Sequence, residues 1–173
     1  MKKRIVSACL AIVSALSLTG CIKDLLDVNF DTSASIALPV EIDGDGSGSK
    51  EVLFSIESDA QVKKYSKYIE SVTVKSFTVS LPSYSGSAAV YDLRLSVDGM
   101  TVVDLKDVDL AAMNARGETI SVEDPQILTA IGNNLLDNKT IKVAGEAATK
   151  SGKVTAAFNV RCDMSMGITA NPL

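Results

Sequence analysis

Histidine and tryptophan are absent from this 173-residue chain, cysteine occurs three times and proline four. Without His there is no Ser-His-Asp triad, no Cys-His dyad, no imidazole zinc ligand and no side chain that ordinarily titrates near neutral pH. Three cysteines are too few for a four-Cys metal site or a disulfide scaffold. The absence of Trp removes the largest flat apolar side chain on which a sugar ring could pack. Positive charge is short as well: 17 Lys plus Arg stand against 21 Asp plus Glu, a net of -4. That balance argues against a general nucleic-acid partner, which needs a basic face.

What is present begins with Lys2, Lys3 and Arg4, followed by Ile5 to Leu18, a 14-residue apolar stretch broken only by small serines. It is shorter than the roughly 20 residues of a membrane span and suits the apolar region of an export signal. Leu18-Thr19-Gly20-Cys21 completes the pattern. These four residues resemble the lipobox of bacterial lipoproteins, the signal peptidase II class. The resemblance implies that the Cys21 thiol carries acyl chains of the palmitate type and that the chain is cut before it. Residues 1–20 are then a signal peptide, 21–27 a lipidated tether and 28–173 the folded domain. Two or more acyl chains, at about 0.8 kcal/mol per buried CH₂, hold a protein stably on a bilayer. Lipoproteins retained in the inner membrane resemble one another in an Asp after the acylated Cys; here Ile22 follows, which favours the outer membrane. Lys23-Asp24 resembles a fragment of the surface-export signal of Bacteroidota lipoproteins, interrupted by Leu25 and Leu26. The periplasmic and surface-facing sides therefore both stay open.

Cleavage changes the counts. The first 20 residues hold three bases and no acid, so the remaining 153 residues carry a net charge of -7. Charge alone then opposes docking on anionic lipid and leaves the anchoring to the acyl chains. Cys9 departs with the signal, Cys21 takes lipid, and Cys162 has no partner left. Cys162 lies in an alternating apolar pattern, which predicts a buried, inert thiol.

From Val28 onward the period is two. Val28, Phe30, Ala34, Ile36, Leu38, Val40 and Ile42 share one parity, the mark of a half-buried strand. Pro39 suggests an edge position or a break into two strands. Asp43 to Ser49 reads as a turn, with Val52, Phe54 and Ile56 as the return strand of a hairpin. Val62, Tyr65 and Ile69 switch to helical spacing, and Ser58 with Gln61 resembles a capping box. Val72 and Val74 change parity to Phe77, Val79 and Leu81, which predicts a β-bulge near Lys75-Ser76. Pro82 to Ser87 reads as a turn. Tyr91, Leu93, Leu95 and Val97, then Asp98-Gly99, then Met100 to Leu105 predict a tight hairpin. Thr119–Val122 is a short strand in a weak region spanning 106–123. Asp124-Pro125 starts a helix whose apolar face is Ile127, Leu128, Ile131 and Leu135. Lys139–Thr149 and Lys153–Thr169 predict a last hairpin. The fold class is all-β: an antiparallel β-sandwich with two short helices, an immunoglobulin-like layout being one arrangement and a barrel the rival.

Candidate chemistry is sparse. Asp43, Asp45 and Ser47, with Gly48, match the opening of a calcium loop, but Phe54 stands where the bidentate Glu belongs. A solvated loop is expected instead. Ser47 and Lys50 match S-x-x-K, and Lys150-Ser151-Gly152 echoes K-T-G, yet the surrounding glycines oppose the helix that this chemistry needs. Asp104, Asp107 and Asp109 form one acidic cluster; Glu118, Glu123 and Asp124 form another. Paired carboxylates serve glycoside hydrolysis when they flank a bond at roughly 5–9 Å, but both clusters fall where solvated surface is expected. Tyr65, Tyr68 and Tyr84 are the candidates for a sugar platform. No phosphate-cradling loop occurs. The expectation is a non-enzymatic, cofactor-free, membrane-anchored module of the cell envelope that is structural or binds an envelope protein. A module binding glycan or an apolar small molecule is the alternative.

Overall fold

Period-two sequence becomes strand throughout, and the strands wind one long ribbon into two layers. The computed structural model describes residues 27–44, 46–86, 89–150 and 153–172. The strands are β1 (Val28–Ile42), β2 (Ser47–Ser55), β3 (Ile69–Gly86), β4 (Val90–Val97), β5 (Met100–Asp109), β6 (Thr119–Ser121), β7 (Thr140–Thr149) and β8 (Ala156–Ala170). The helices are α1 (Ala60–Tyr65), α2 (Leu110–Arg116) and α3 (Pro125–Asn138), with single 3₁₀ turns at Ile56–Ser58 and Ser66–Tyr68.

One sheet has the order β1-β8-β3-β6 and the other β2-β7-β4-β5. Each strand therefore neighbours the one equally far from the other end of the ribbon: first with eighth, second with seventh, third with sixth, fourth with fifth. All these pairings are antiparallel. This is an antiparallel β-sandwich with the strand order of a jelly roll. An immunoglobulin layout would place the first two strands side by side in one sheet. Here β1 and β2 lie in different sheets, and two separate sheets replace the barrel alternative.

The inward parity fills the space between the layers. Leu38, Val40, Leu95, Val97, Val143 and Val160 have no exposed surface, and Cys162 lies among them. Burial of this kind supplies most of the stabilisation, at about 25 cal/mol per Å² of apolar surface.

Pairing departs from expectation where alternation says nothing about partners. The predicted β1–β2 hairpin is a crossing from one sheet to the other, tight enough that a Cβ on Gly48 would run into the Glu41 carbonyl. The predicted last hairpin is also absent: β7 pairs with β2 and β4, while β8 pairs with β1 and β3. β3 continues through the predicted turn at Pro82 to Gly86, with a register shift between Ser80 and Ser83 absorbing the proline that cannot donate. The predicted bulge is present as a shift between Val74 and Ser76. The tight hairpin is present too: Asp98 and Gly99 have φ of 48° and 80°, both positive as a two-residue turn of matching twist requires.

Among the described residues there are three helices where two were expected. The missed one, α2, buries Leu110 and Met113 and is capped by Asp109, which accepts from Ala112 N–H. Asp59, not Ser58, caps α1, accepting from Gln61 and Val62 N–H. α3 starts as expected, with Asp124 accepting from Gln126 N–H and Pro125 in the first turn. It buries Ile131 and Leu135 against the sandwich.

Candidate functional site

The outward parity of the β2-β7-β4-β5 sheet builds a charged face. Register sets Ser49 opposite Glu146, Glu146 opposite Arg94, and Arg94 opposite Asp104, one row across four strands. In the next row Ser47 faces Ala148 and Ala148 faces Asp92. The small residues Ser47, Gly48, Ser49, Ala147 and Ala148 leave a shallow depression of about 530 Å³ beside Asp92, Arg94, Lys106 and Glu146.

A bulge shapes the rim. The β4–β5 register shifts between Tyr91 and Leu93, so Asp92 opposes two residues, Lys106 and Asp107. Asp107 takes a φ of 54°, a region that Asp tolerates better than most residues. Its N–H then donates to Asp92 Oδ1 at 3.1 Å. Lys106 Nζ sits 3.1 Å from Asp104 Oδ1 and 3.6 Å from Asp92 Oδ2. Arg94 reaches Asp104 at 3.3 Å, and Lys150 reaches Asp107 at 3.1 Å.

These contacts fix the charge states. The Asp107 N–H, with help from Lys106 and Lys150, holds the Asp92 carboxyl below its ordinary range. The Lys106 ammonium hydrogen bond does the same for Asp104. Asp107 in turn holds Lys150 more firmly protonated. A general acid needs a carboxyl pushed up, not down. The face presents alternating fixed charges, which suit recognition of a polar surface.

The sequence-derived candidates distribute as follows. Cys21 and Asp45 lie outside the described residues, as do Ser151 and Gly152. Asp43 is exposed at the end of β1, and Ser47 opens β2. Among the described residues no three His, Cys, Asp or Glu stand close enough to hold a metal ion. Ser47 and Lys50 are on an extended strand, where residues three apart point to opposite faces, so S-x-x-K chemistry has no geometry here. The first acidic cluster divides: Asp104 and Asp107 join the charged face, while Asp109 caps α2. The second disperses, with Glu118 paired to Arg116 and Asp124 capping α3.

The tyrosines do not gather. Tyr65 packs on Phe30 at 5.9 Å between ring centroids. Tyr84 stacks on Phe158 at 6.3 Å and its hydroxyl meets that of Tyr91 at 3.2 Å, with burial pushing its titration up. Tyr84 pairs with Phe158 and Ile69 with Ala170, so Tyr84 and Tyr68 lie about 40 Å apart along β8. Cys162 is fully buried, and desolvation pushes its thiol up to about 12. Asp92, Arg94, Lys106 and Glu146 are the site residues that sequence reasoning missed. Their outward parity was readable; the register that assembles them was not.

No protein-family model matches this chain, and no curated protein matches it. Among solved structures, a chain of the mud crab tombus-like virus is similar at 13% identity, covering 85% of this chain and 91% of that one, with a TM-score of 0.42. The decameric BFDV capsid protein is similar at 6% identity, covering 82% of this chain and 98% of its own, with a TM-score of 0.41. The semi-empty particle of Macrobrachium rosenbergii nodavirus gives 12% identity, 85% and 86% coverage, and a TM-score of 0.41.

Proposed function

We propose that the chain is a lipoprotein of the bacterial outer membrane, held by acyl chains on Cys21, whose sandwich domain serves as a structural or protein-binding module. The anchor reading is supported by the basic start, the apolar stretch and the Leu18-to-Cys21 lipobox. The observation that carries the binding reading is the charged face, where Glu146, Arg94 and Asp104 alternate in sign across one row. Such patterns select partners by complementary charge and penalise wrong ones. Leu53, 70% exposed on the same outward parity of β2, offers an apolar contact four residues along the strand from Ser49, opposite Lys142. The lowered carboxyls favour binding over acid catalysis, and the filled core leaves little support for an apolar ligand between the sheets.

Metabolic labelling with a palmitate analogue tests the anchor. Cys21→Ser is expected to lose both label and membrane association; retention in membranes without label overturns the reading. Cross-linking followed by purification from outer membranes tests the module. Arg94→Glu with Lys106→Glu is expected to lose a reproducible partner while keeping the native circular dichroism. A wild-type chain that always emerges alone overturns the protein-binding reading.

A further inference from the structure

We propose that the free edge of β1 pairs with the same edge of a second copy of this chain, antiparallel and two-fold about Ser33, so that the two β1-β8-β3-β6 sheets become one. The sheet edges are finished differently. An edge strand carries unpaired N–H and C=O groups that template another strand, and proteins guard it with charges, bulges, short length or a covering element. β1 and β6 end one sheet, β2 and β5 the other. β6 is three residues long, and α3 lies over the neighbouring part of β3, with Gly132 against the Val72 carbonyl. β5 carries Asp104, Lys106 and Asp107 and is bent by the bulge opposite Asp92. β2 holds Lys50, exposed, on its inward parity, next to Glu51. β1 runs for 15 residues, and from Thr32 to Val40 it has no charged side chain.

Between residues 29 and 37 the backbone of this edge is open. β1 pairs with β8 alone, so Pro39, which has no N–H to donate, sits in the ladder with its nitrogen on the free side. The Glu41 carbonyl, of the same parity, faces Gly48 on that side. Backbone groups alternate sides along a strand, so Asn29, Asp31, Ser33, Ser35 and Ala37 direct N–H and C=O outward. Among the described residues no hydrogen bond outside the sheet reaches these groups. α1 touches the stretch through the side chains of Phe30 and Thr32, leaving the outward backbone groups unused. A groove of about 310 Å³ lies alongside, lined by Thr32, Ala34, Phe54, Ile56 and Met166 among others. Here the inward residues of β1 are half-buried, whereas Ile36, Leu38, Val40 and Ile42 of the same parity are buried. An added strand covers the gap with its own inward row.

The sequence of this edge complements itself. In antiparallel pairing about Ser33, inward Val28 meets the partner's Leu38, Phe30 the partner's Ile36 and Thr32 the partner's Ala34, large against large and small against small. On the outward face Asn29 meets the partner's Ala37 and Asp31 the partner's Ser35, so no like charges stand opposite. Neighbouring axes fit less well. A two-fold about Asp31 sets that carboxylate against itself. One about Thr32 sets Phe30 against the partner's Ala34. One about Ala34 or Ser35 brings Pro39 opposite Asn29 or Asp31 and forfeits a hydrogen bond. With the axis at Ser33 the two chains enter β1 about 33 Å apart. Seven residues separate Cys21 from Val28, a reach of about 25 Å for each tether, so both copies can share one bilayer. The pairing itself needs neither the anchor nor the charged face.

Cross-linking at the axis gives the test. Ser33→Cys brings two thiols together, because the α-carbons of a hydrogen-bonded pair lie about 5.5 Å apart, within the range of a disulfide. Ser35→Cys controls for register, since the partner's Ser35 is four residues away, about 13 Å along the strands. Ser85→Cys, exposed at the end of β3, controls for chance collision. Each is made in the full chain, and the unsubstituted chain sets the background from Cys21. Under mild oxidation Ser33→Cys is expected to give a disulfide dimer at a yield about tenfold or more above the two controls. On the Ser33→Cys background, Ser35→Asp sets a carboxylate opposite the partner's Asp31 and Ser35→Lys an ammonium group. At limiting chain concentration the dimer yield is expected to fall about threefold for the first and to rise for the second, with circular dichroism unchanged. No dimer through residue 33, or equal dimers at all three positions, overturns the proposal. A yield that ignores the charge at residue 35 overturns the axis at Ser33. Capture of Ser33→Cys only as an adduct with a different protein also overturns the pairing of copies and makes this edge a docking strand for that partner.

Discussion

The Cβ that Gly132 lacks would stand 2.5 Å from the backbone oxygen of Val72. α3 therefore lies on β3 at a distance that only glycine permits. Ala normally gains about 1 kcal/mol over Gly inside a helix. Here the clash is with a strand backbone that cannot rotate away, and forcing atoms into a packed site costs about 1–3 kcal/mol. Gly132→Ala is thus expected to lower the urea midpoint. An unchanged or higher midpoint would show that α3 can lift from β3 at little cost.

Asp59 joins α1 to β1 and gives stability in acid a readable slope. Its hydrogen bond from Thr32, then that from Val62 N–H, hold its carboxyl below the ordinary 3.8. A carboxyl lowered in the folded state contributes stability that is complete above the unfolded value and is lost as pH falls through the folded one. Asp59→Ala is expected to cost about 1 kcal/mol at pH 7, the usual cost of an N-cap. Asp59→Asn keeps a capping oxygen, so it should be less damaging at pH 7. It should also flatten the contribution of this residue below about pH 4. Urea unfolding of the three chains at pH 7 and pH 3 separates the two effects.

Asp98 is more than a turn residue. It takes a positive φ in the β4–β5 hairpin while its Oδ1 accepts from Lys142 N–H at 2.8 Å and its Oδ2 from Asn134 Nδ2 at 2.9 Å. One side chain thus ties the hairpin to β7 and α3. Asp98→Ala loses both bonds and the tolerance of positive φ, and is expected to cost about 1–3 kcal/mol. Asp98→Gly restores the backbone freedom only. If it recovers the whole loss in thermal unfolding, the two hydrogen bonds contribute nothing.

The contrast between Asp98 and Asp92 shows what a sequence discloses. Asp98-Gly99 is local: two residues with positive φ between alternating segments specify a hairpin. Period two likewise exposed the strands, and Asp124-Pro125 the start of α3. Asp92 acquires its role from Lys106 and Asp107 through a bulge, and from Ala148 through register with a strand more than fifty residues later. Alternation assigns a side chain to a face but not a strand to a neighbour. That is why the β1–β2 and β7–β8 hairpins were expected where the chain crosses between sheets. α2 was missed because Leu110 and Met113 give only one turn of apolar spacing.

Arg94 and Asp104 pair at 3.3 Å with side chains 51% and 38% exposed. Exposed ion pairs contribute little to folding. Arg94→Ala and Lys106→Ala are therefore expected to leave the urea midpoint within error, which makes them clean probes of the charged face. A large drop in midpoint would reassign that face to holding the sandwich together.

Cys162 has the opposite character. It lies on the inward parity of β8 with no exposed surface, and burial pushes its thiol up to about 12. Reagents that need the thiolate should leave it untouched in the native chain at pH 8 and modify it in denaturant, as peptide mapping by mass spectrometry would read directly. The shift also has a stability consequence. An unfolded thiol ionises near 8.5, whereas the folded one keeps its proton to about 12. The folded state therefore binds the proton more tightly, so stability is complete below the unfolded value and declines as pH rises above it. Lys and Tyr titrate higher, so the useful window runs from about pH 8 to 9.5. Cys162→Ala leaves a small cavity and is expected to be less stable at pH 7. It should nevertheless lose less further stability than the wild-type chain across that window. Parallel slopes for the two chains would mean that the thiol reaches water before the sandwich unfolds.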